Sequence, residues 1–121
     1  MKVLDASAML AFLQGEPGSD VVTDALESGA CCSAANWSEV AQKVRASGRN
    51  WELSRTLLKA YGLMVEPVIE VDAEKAAALW RAGSGMSLAD RICLALAHRL
   101  QAPALTADVN WGSKSPVVQI R

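Results

Sequence analysis

Four carboxylates recur in one kind of setting along this chain. Asp5 follows a short apolar run in Val3-Leu4-Asp5-Ala6-Ser7, and Asp108 follows another in Leu105-Thr106-Ala107-Asp108. Glu39 and Asp90 fall in the first turns of predicted helices, in Asn36-Trp37-Ser38-Glu39-Val40 and Ser87-Leu88-Ala89-Asp90-Arg91. Acids gathered this way repel one another unless a cation sits between them. A hard divalent ion, Mg2+ or Mn2+, suits a donor set made only of oxygens. The chain has 1 histidine, which excludes a two-histidine acid–base mechanism and a zinc site built on several imidazoles. Each acid also has a structural explanation. Asn36-x-x-Glu39 and Ser87-x-x-Asp90 have capping-box spacing, and Asp5 and Asp108 can act as helix N-caps or Asx-turn residues.

The elements that must position these acids alternate. Strands are predicted at Lys2–Leu4, Ala30–Ala34, Leu63–Val71, Ala104–Thr106 and Val117–Ile120, with Pro67 confining the third to an edge, a bulge or a strand end. Helices are predicted at Ser7–Gln14, from the Gly15–Gly18 turn to Ser28, at Asn36–Ala46, from an Asn50 cap to Tyr61, at Asp72–Ala82 and at Ser87–Leu100. Short apolar strands alternating with helices predict an α/β fold with a mainly parallel sheet. In such a sheet, strand ends and helix starts share one edge, where ligands bind. All four acids fall on that edge.

The 121 residues are enough for one compact domain with its own core. Lys plus Arg is 12 and Asp plus Glu is 13, a net charge of −1, which argues against a general nucleic-acid coat protein. Setting the four acids aside, the rest of the chain is mildly basic. Lys43, Arg45, Arg49, Arg55 and Lys59 face only Glu52 over residues 43–59, the best candidate for phosphate contact. Trp37, Trp51 and Trp111 can stack bases or pack the core. Cys31, Cys32 and Cys93 form no disulfide framework and are expected to be buried and reduced. No secretion signal and no membrane span are expected, which points to the cytoplasm.

Together the four acidic motifs, in this order, with the apolar helix behind Asp90 and Trp111 three residues beyond Asp108, resemble the PIN domain. Within that superfamily the chain is similar to the VapC toxins of type II toxin–antitoxin pairs. The resemblance spans the whole chain and implies a single domain over residues 1–121, a three-layer α/β/α sandwich with a central sheet of four to five strands. It further implies a metal-dependent endoribonuclease that leaves a 5′-phosphate and a 3′-hydroxyl. Asp5 and Asp90 would ligate Mg2+ (or Mn2+) directly, with Glu39 and Asp108 completing the site directly or through water. Thr106 would orient a carboxylate, and Arg91 would either reach the site or form an ion pair on its helix. Also implied are an RNA substrate, a homodimer and a VapB-type antitoxin covering the groove. Trp51, Leu57, Leu58 and Tyr61 are the expected interface residues. After Asp108 the family often places a basic or second acidic residue, where this chain has Val109 and Asn110.

Other classes fit less well. A receiver domain needs an acceptor Asp after a central strand, and residues 25–71 contain none. A haloacid-dehalogenase phosphatase needs Asp-x-Asp, and the third position here is Ser7. A PIN nuclease of RNA maturation, or a PIN fold kept without catalysis, are the alternatives within the superfamily.

Overall fold

The computed structural model describes all 121 residues. Five strands form one all-parallel sheet: β1 (Lys2–Leu4), β2 (Ala30–Ser33), β3 (Met64–Glu66), β4 (Ala104–Thr106) and β5 (Val117–Gln119), in the order β3-β2-β1-β4-β5. Six helices connect them: α1 (Ala6–Gln14), α2 (Ser19–Ser28), α3 (Ala34–Ala46), α4 (Trp51–Ala60), α5 (Glu70–Ala78) and α6 (Leu88–Leu100). A single 3-10 turn, Val109–Trp111, follows β4.

Successive strand residues point to opposite faces, and the layers follow from that. Leu4, Cys32 and Leu105 pack with Met9, Val22, Val40 and Leu58 of α1–α4. Their neighbours Val3, Cys31 and Ala104 pack with Cys93 and Leu96 of α6 and with Trp111. The result is the expected α/β/α sandwich. Adjacent Cys31 and Cys32 therefore lie on opposite faces, and all three cysteines are buried and unbonded. Burial pushes the thiols up, Cys31 to about 11 and Cys32 to about 12, so none is a ready nucleophile.

Most boundaries fall within a residue of the sequence expectation, and the larger departures are at three elements. Helix α3 starts at Ala34 rather than Asn36, because Ser33 is the cap that accepts from the Asn36 N–H. Strand β3 stops at Glu66, the residue before Pro67. Helix α5 covers Glu70–Ala78 rather than Asp72–Ala82. Asp72 lies inside its first turn, accepting from the Ile69 N–H at 3.2 Å. It is buried, and its carboxylate takes both Nε and Nη2 of Arg99 on α6, at 2.8 and 3.1 Å. Asp72 is thus not the N-cap but the third helical residue, held both by the N-cap N–H and by a buried ion pair.

Candidate active site

The strand order reverses between β1 and β4, since β2 and β3 lie on one side of β1 and β4 and β5 on the other. That makes the crevice beyond the carboxyl ends of β1 and β4 the topological switch point, where open parallel sheets bind ligands. Asp5 leaves β1 there. It caps α1, with Oδ1 accepting from the Ala8 N–H at 2.8 Å. Its Oδ2 accepts from Thr106 Oγ1 at 2.6 Å, and Ser7 Oγ donates to Oδ1 at 2.7 Å. The two hydroxyls reach further: Ser7 Oγ accepts from the Ala107 N–H at 2.8 Å, and Thr106 Oγ1 accepts from the Asp108 N–H at 3.0 Å. One network thus fastens the start of α1 to the loop that carries Asp108.

Asp5 is only 3% exposed. Burial raises its carboxyl to about 6, against the opposing pull of the hydrogen bonds from Thr106, Ala8 and Ser7, and the negative charge of Asp90 adds to the rise. Its ordinary value is 3.8, so the folded chain holds the Asp5 proton more tightly than the unfolded chain does. Stability should therefore rise as pH falls from 7 through 6 towards 4, by roughly 3 kcal/mol from this group. Thermal melts in chelator at pH 7 and pH 5 test this directly; a melting temperature that falls on acidification would contradict it.

The other three acids lie on the same edge, each held by local donors. Asp90 closes a capping box at the start of α6, its Oδ2 accepting from the Ser87 N–H at 3.0 Å while Ser87 Oγ accepts from the Asp90 N–H. Asp108 is exposed and caps the 3-10 turn through Oδ1 and the Asn110 N–H at 2.9 Å. Glu39 is not part of a capping box. It is half-buried, and Oε1 accepts from Nδ2 of Asn36 at 2.8 Å. Asp5 and Asp90 are near enough for their charges to interact. No three acidic, thiol or imidazole side chains converge closely enough to ligate one ion, so the expected tight four-acid cluster is a shared edge instead.

Several side chains had more than one possible role in the sequence. Thr106 does orient a carboxylate, whereas Ser7, two residues beyond Asp5, was overlooked; its signal is a hydroxyl at i+2 of a buried acid. Arg91 turns away, donating from Nη1 to the Ala76 carbonyl at 2.9 Å. Trp51 and Trp111 are buried and cannot stack bases. Trp37 is half-buried, edge-on to Trp51, with Lys59 Nζ 5.3 Å above its ring. Lys43, Arg45, Arg49, Arg55 and Lys59 are all exposed, and only Arg45 meets an acid, Glu52 at 4.0 Å. On α4, Trp51 and Leu58 belong to the core, leaving Leu53 and Leu57 exposed, while Tyr61, just past its end, packs edge-on against Phe12. Exposed His98 lines a cleft of about 630 Å³ beside Pro103 and Pro116, at the opposite edge of the sheet from the acids.

The PIN domain family model matches residues 2–114. No curated protein sequence matches the chain. Among solved structures, a toxin–antitoxin complex from Klebsiella pneumoniae contains a similar chain, with a TM-score of 0.78 at 20% identity, over 100% of this chain and 98% of that one. VapC20 of Mycobacterium tuberculosis, described as a sarcin–ricin loop cleaving toxin, aligns with a TM-score of 0.69 at 15% identity over 95% of both chains. VapBC2 of Rickettsia felis, solved with a fragment of its promoter DNA, gives 0.66 at 11% identity over 98% of this chain and 96% of that chain.

Proposed function

This chain belongs to the PIN domain family, and from that premise we propose that it is a metal-dependent endoribonuclease, the toxin of a type II toxin–antitoxin pair. The observation that carries the proposal is Asp5: a buried carboxylate at the switch point, raised to about 6, with Asp90 close enough to raise it further. A divalent cation would offset the paired negative charges, and the carboxylate oxygens of Asp5 and Asp90 are donors of the chemical kind it takes. Asp5 and Asp90 would hold Mg2+ (Mn2+ as a substitute), with Glu39 and Asp108 completing the site directly or through water. When bound, such an ion supplies acidity to a water and positive charge to offset a phosphorane-like transition state.

The chain's own residues set the stage for hydrolysis. Thr106 and Ser7 fix both oxygens of Asp5, so the carboxylate does not reorganise when substrate arrives. The same hydroxyls hold the backbone of Ala107 and Asp108, keeping the loop of the last acid in register with Asp5. The exposed cations of α3 and α4, Lys43 and Arg55 among them, offer phosphate contacts.

With Mg2+ the protein is expected to cleave single-stranded RNA, leaving 5′-phosphate and 3′-hydroxyl ends, and to lose that activity in EDTA. Cleavage that persists in EDTA, or an Asp90→Asn variant as active as the parent, would sink the metal site. The toxin reading draws support from the similarity to chains of toxin–antitoxin complexes, and from the exposed Leu53 and Leu57 of α4. It entails a homodimer in the cytoplasm, one PIN domain over residues 1–121, and an antitoxin of the VapB type. Light scattering that finds a monomer, with no antitoxin encoded beside it, would count against that part alone.

A further inference from the structure

Asn36 is 0% exposed, yet it carries a full amide into the interior. An asparagine inside a helix is unfavourable both for the helix and for burial, so its amide needs partners. Helix α3 does not need that side chain for its start, because Ser33 provides the cap. Two bonds use the amide instead. Ser33 Oγ donates to Asn36 Oδ1 at 3.1 Å, and Asn36 Nδ2 donates to Glu39 Oε1 at 2.8 Å. An ionised carboxylate only accepts, so Glu39 itself dictates which end of the amide faces it. Ser33 is also buried, at 1% exposed, and ends β2.

We propose that Asn36 is a positioning residue for the reaction: with Ser33 it forms a buried relay that fixes the carboxylate of Glu39 at the site edge. This rests on Glu39 serving the nuclease site assigned above. The physical need is clear from the side chains. Asp5 and Asp90 are short and anchored by backbone N–H groups. Glu39 has a longer, half-exposed side chain, which an unheld glutamate would spread over several rotamers. A charge-assisted bond from a rigid, buried donor confines it to one.

Asn36→Leu removes both amide bonds while keeping the same number and branching of side-chain heavy atoms and leaving the backbone N–H of residue 36 on Ser33. With the protein folded, confirmed by its melt, kcat is expected to fall 10–100-fold with KM changed less than twofold. Mg2+ affinity read by calorimetry is expected to weaken by a similar order. Asn36→Ala replaces it if Asn36→Leu fails to fold. The deciding measurement repeats the substitution in a Glu39→Gln background. A positioning role requires the loss in kcat and in Mg2+ affinity largely to disappear there. The same loss in both backgrounds would overturn the positioning role while leaving the nuclease assignment standing. If Glu39→Gln alone changes neither turnover nor Mg2+ binding, Glu39 has no place in the site and the positioning role is overturned, while the nuclease assignment, carried by Asp5, stands.

Discussion

Asp5→Asn is expected to abolish RNA cleavage, by three orders of magnitude or more, and to make the metal-free protein more stable at pH 7. Both effects have one cause. In the proposed site Asp5 is a direct ligand, whose loss would remove several kcal/mol of transition-state charge stabilisation, and about 4 kcal/mol is already a thousandfold in rate. The same carboxylate, raised to about 6 by burial, is a burden on the fold when ionised. An asparagine carries no charge and can still use the local donors: its oxygen can accept from Ala8 and Ser7, and its amide can donate to Thr106 Oγ1. A gain of about 2 kcal/mol is expected, less than the full relief because the carboxylate's charge-assisted bonds are lost. The pH-dependent rise in melting temperature should flatten in the variant. A variant that is inactive but destabilised, with the pH trend intact, would mean that Asp5 is chiefly a helix cap.

The second large effect lies away from the site. Arg99→Met leaves the Asp72 carboxylate buried with only the Ile69 N–H for company. Breaking one side of such a pair costs about 3 kcal/mol, towards the lower end of the range because Arg99 is partly open to solvent. Chemical denaturation should show that loss, and the melting temperature should drop by roughly 10 °C. The double variant Asp72→Leu with Arg99→Met should regain most of it, since an apolar pair needs no compensating charge. If the double variant is as weak as the single, the pair's charge is not what Arg99 supplies. Cleavage per folded molecule should be unchanged in both, because this pair joins α5 to α6 and touches none of the four acids.

The order of elements, the parallel sheet and the edge on which the acids lie were all legible in the sequence. They follow from local signals: apolar runs too short for helices, Gly29 and Gly62 closing helices, and Ser87 and Asn50 opening them. An acid directly after a strand is placed by the strand itself, so Asp5 and Asp108 needed no knowledge of distant contacts. Thr106 was legible for the same reason. Only the tertiary structure decided which polar groups meet across the fold. Thr106 reaches Asp5 over 101 positions of sequence, and Ser7 reaches the Ala107 N–H over 100. Asp72 stands in the sequence as the start of a predicted helix, and its partner, Arg99, lies 27 residues away on another helix. Arg91, Trp51 and Leu58 also turned on long-range packing: which face of a helix meets the core depends on the neighbours against which it docks. The sequence by itself determined the order of the elements, the parallel sheet and the edge at which strands end and helices start. The packing decided what holds each carboxylate there, because hydrogen bonds and desolvation depend on distances that chain separation does not encode.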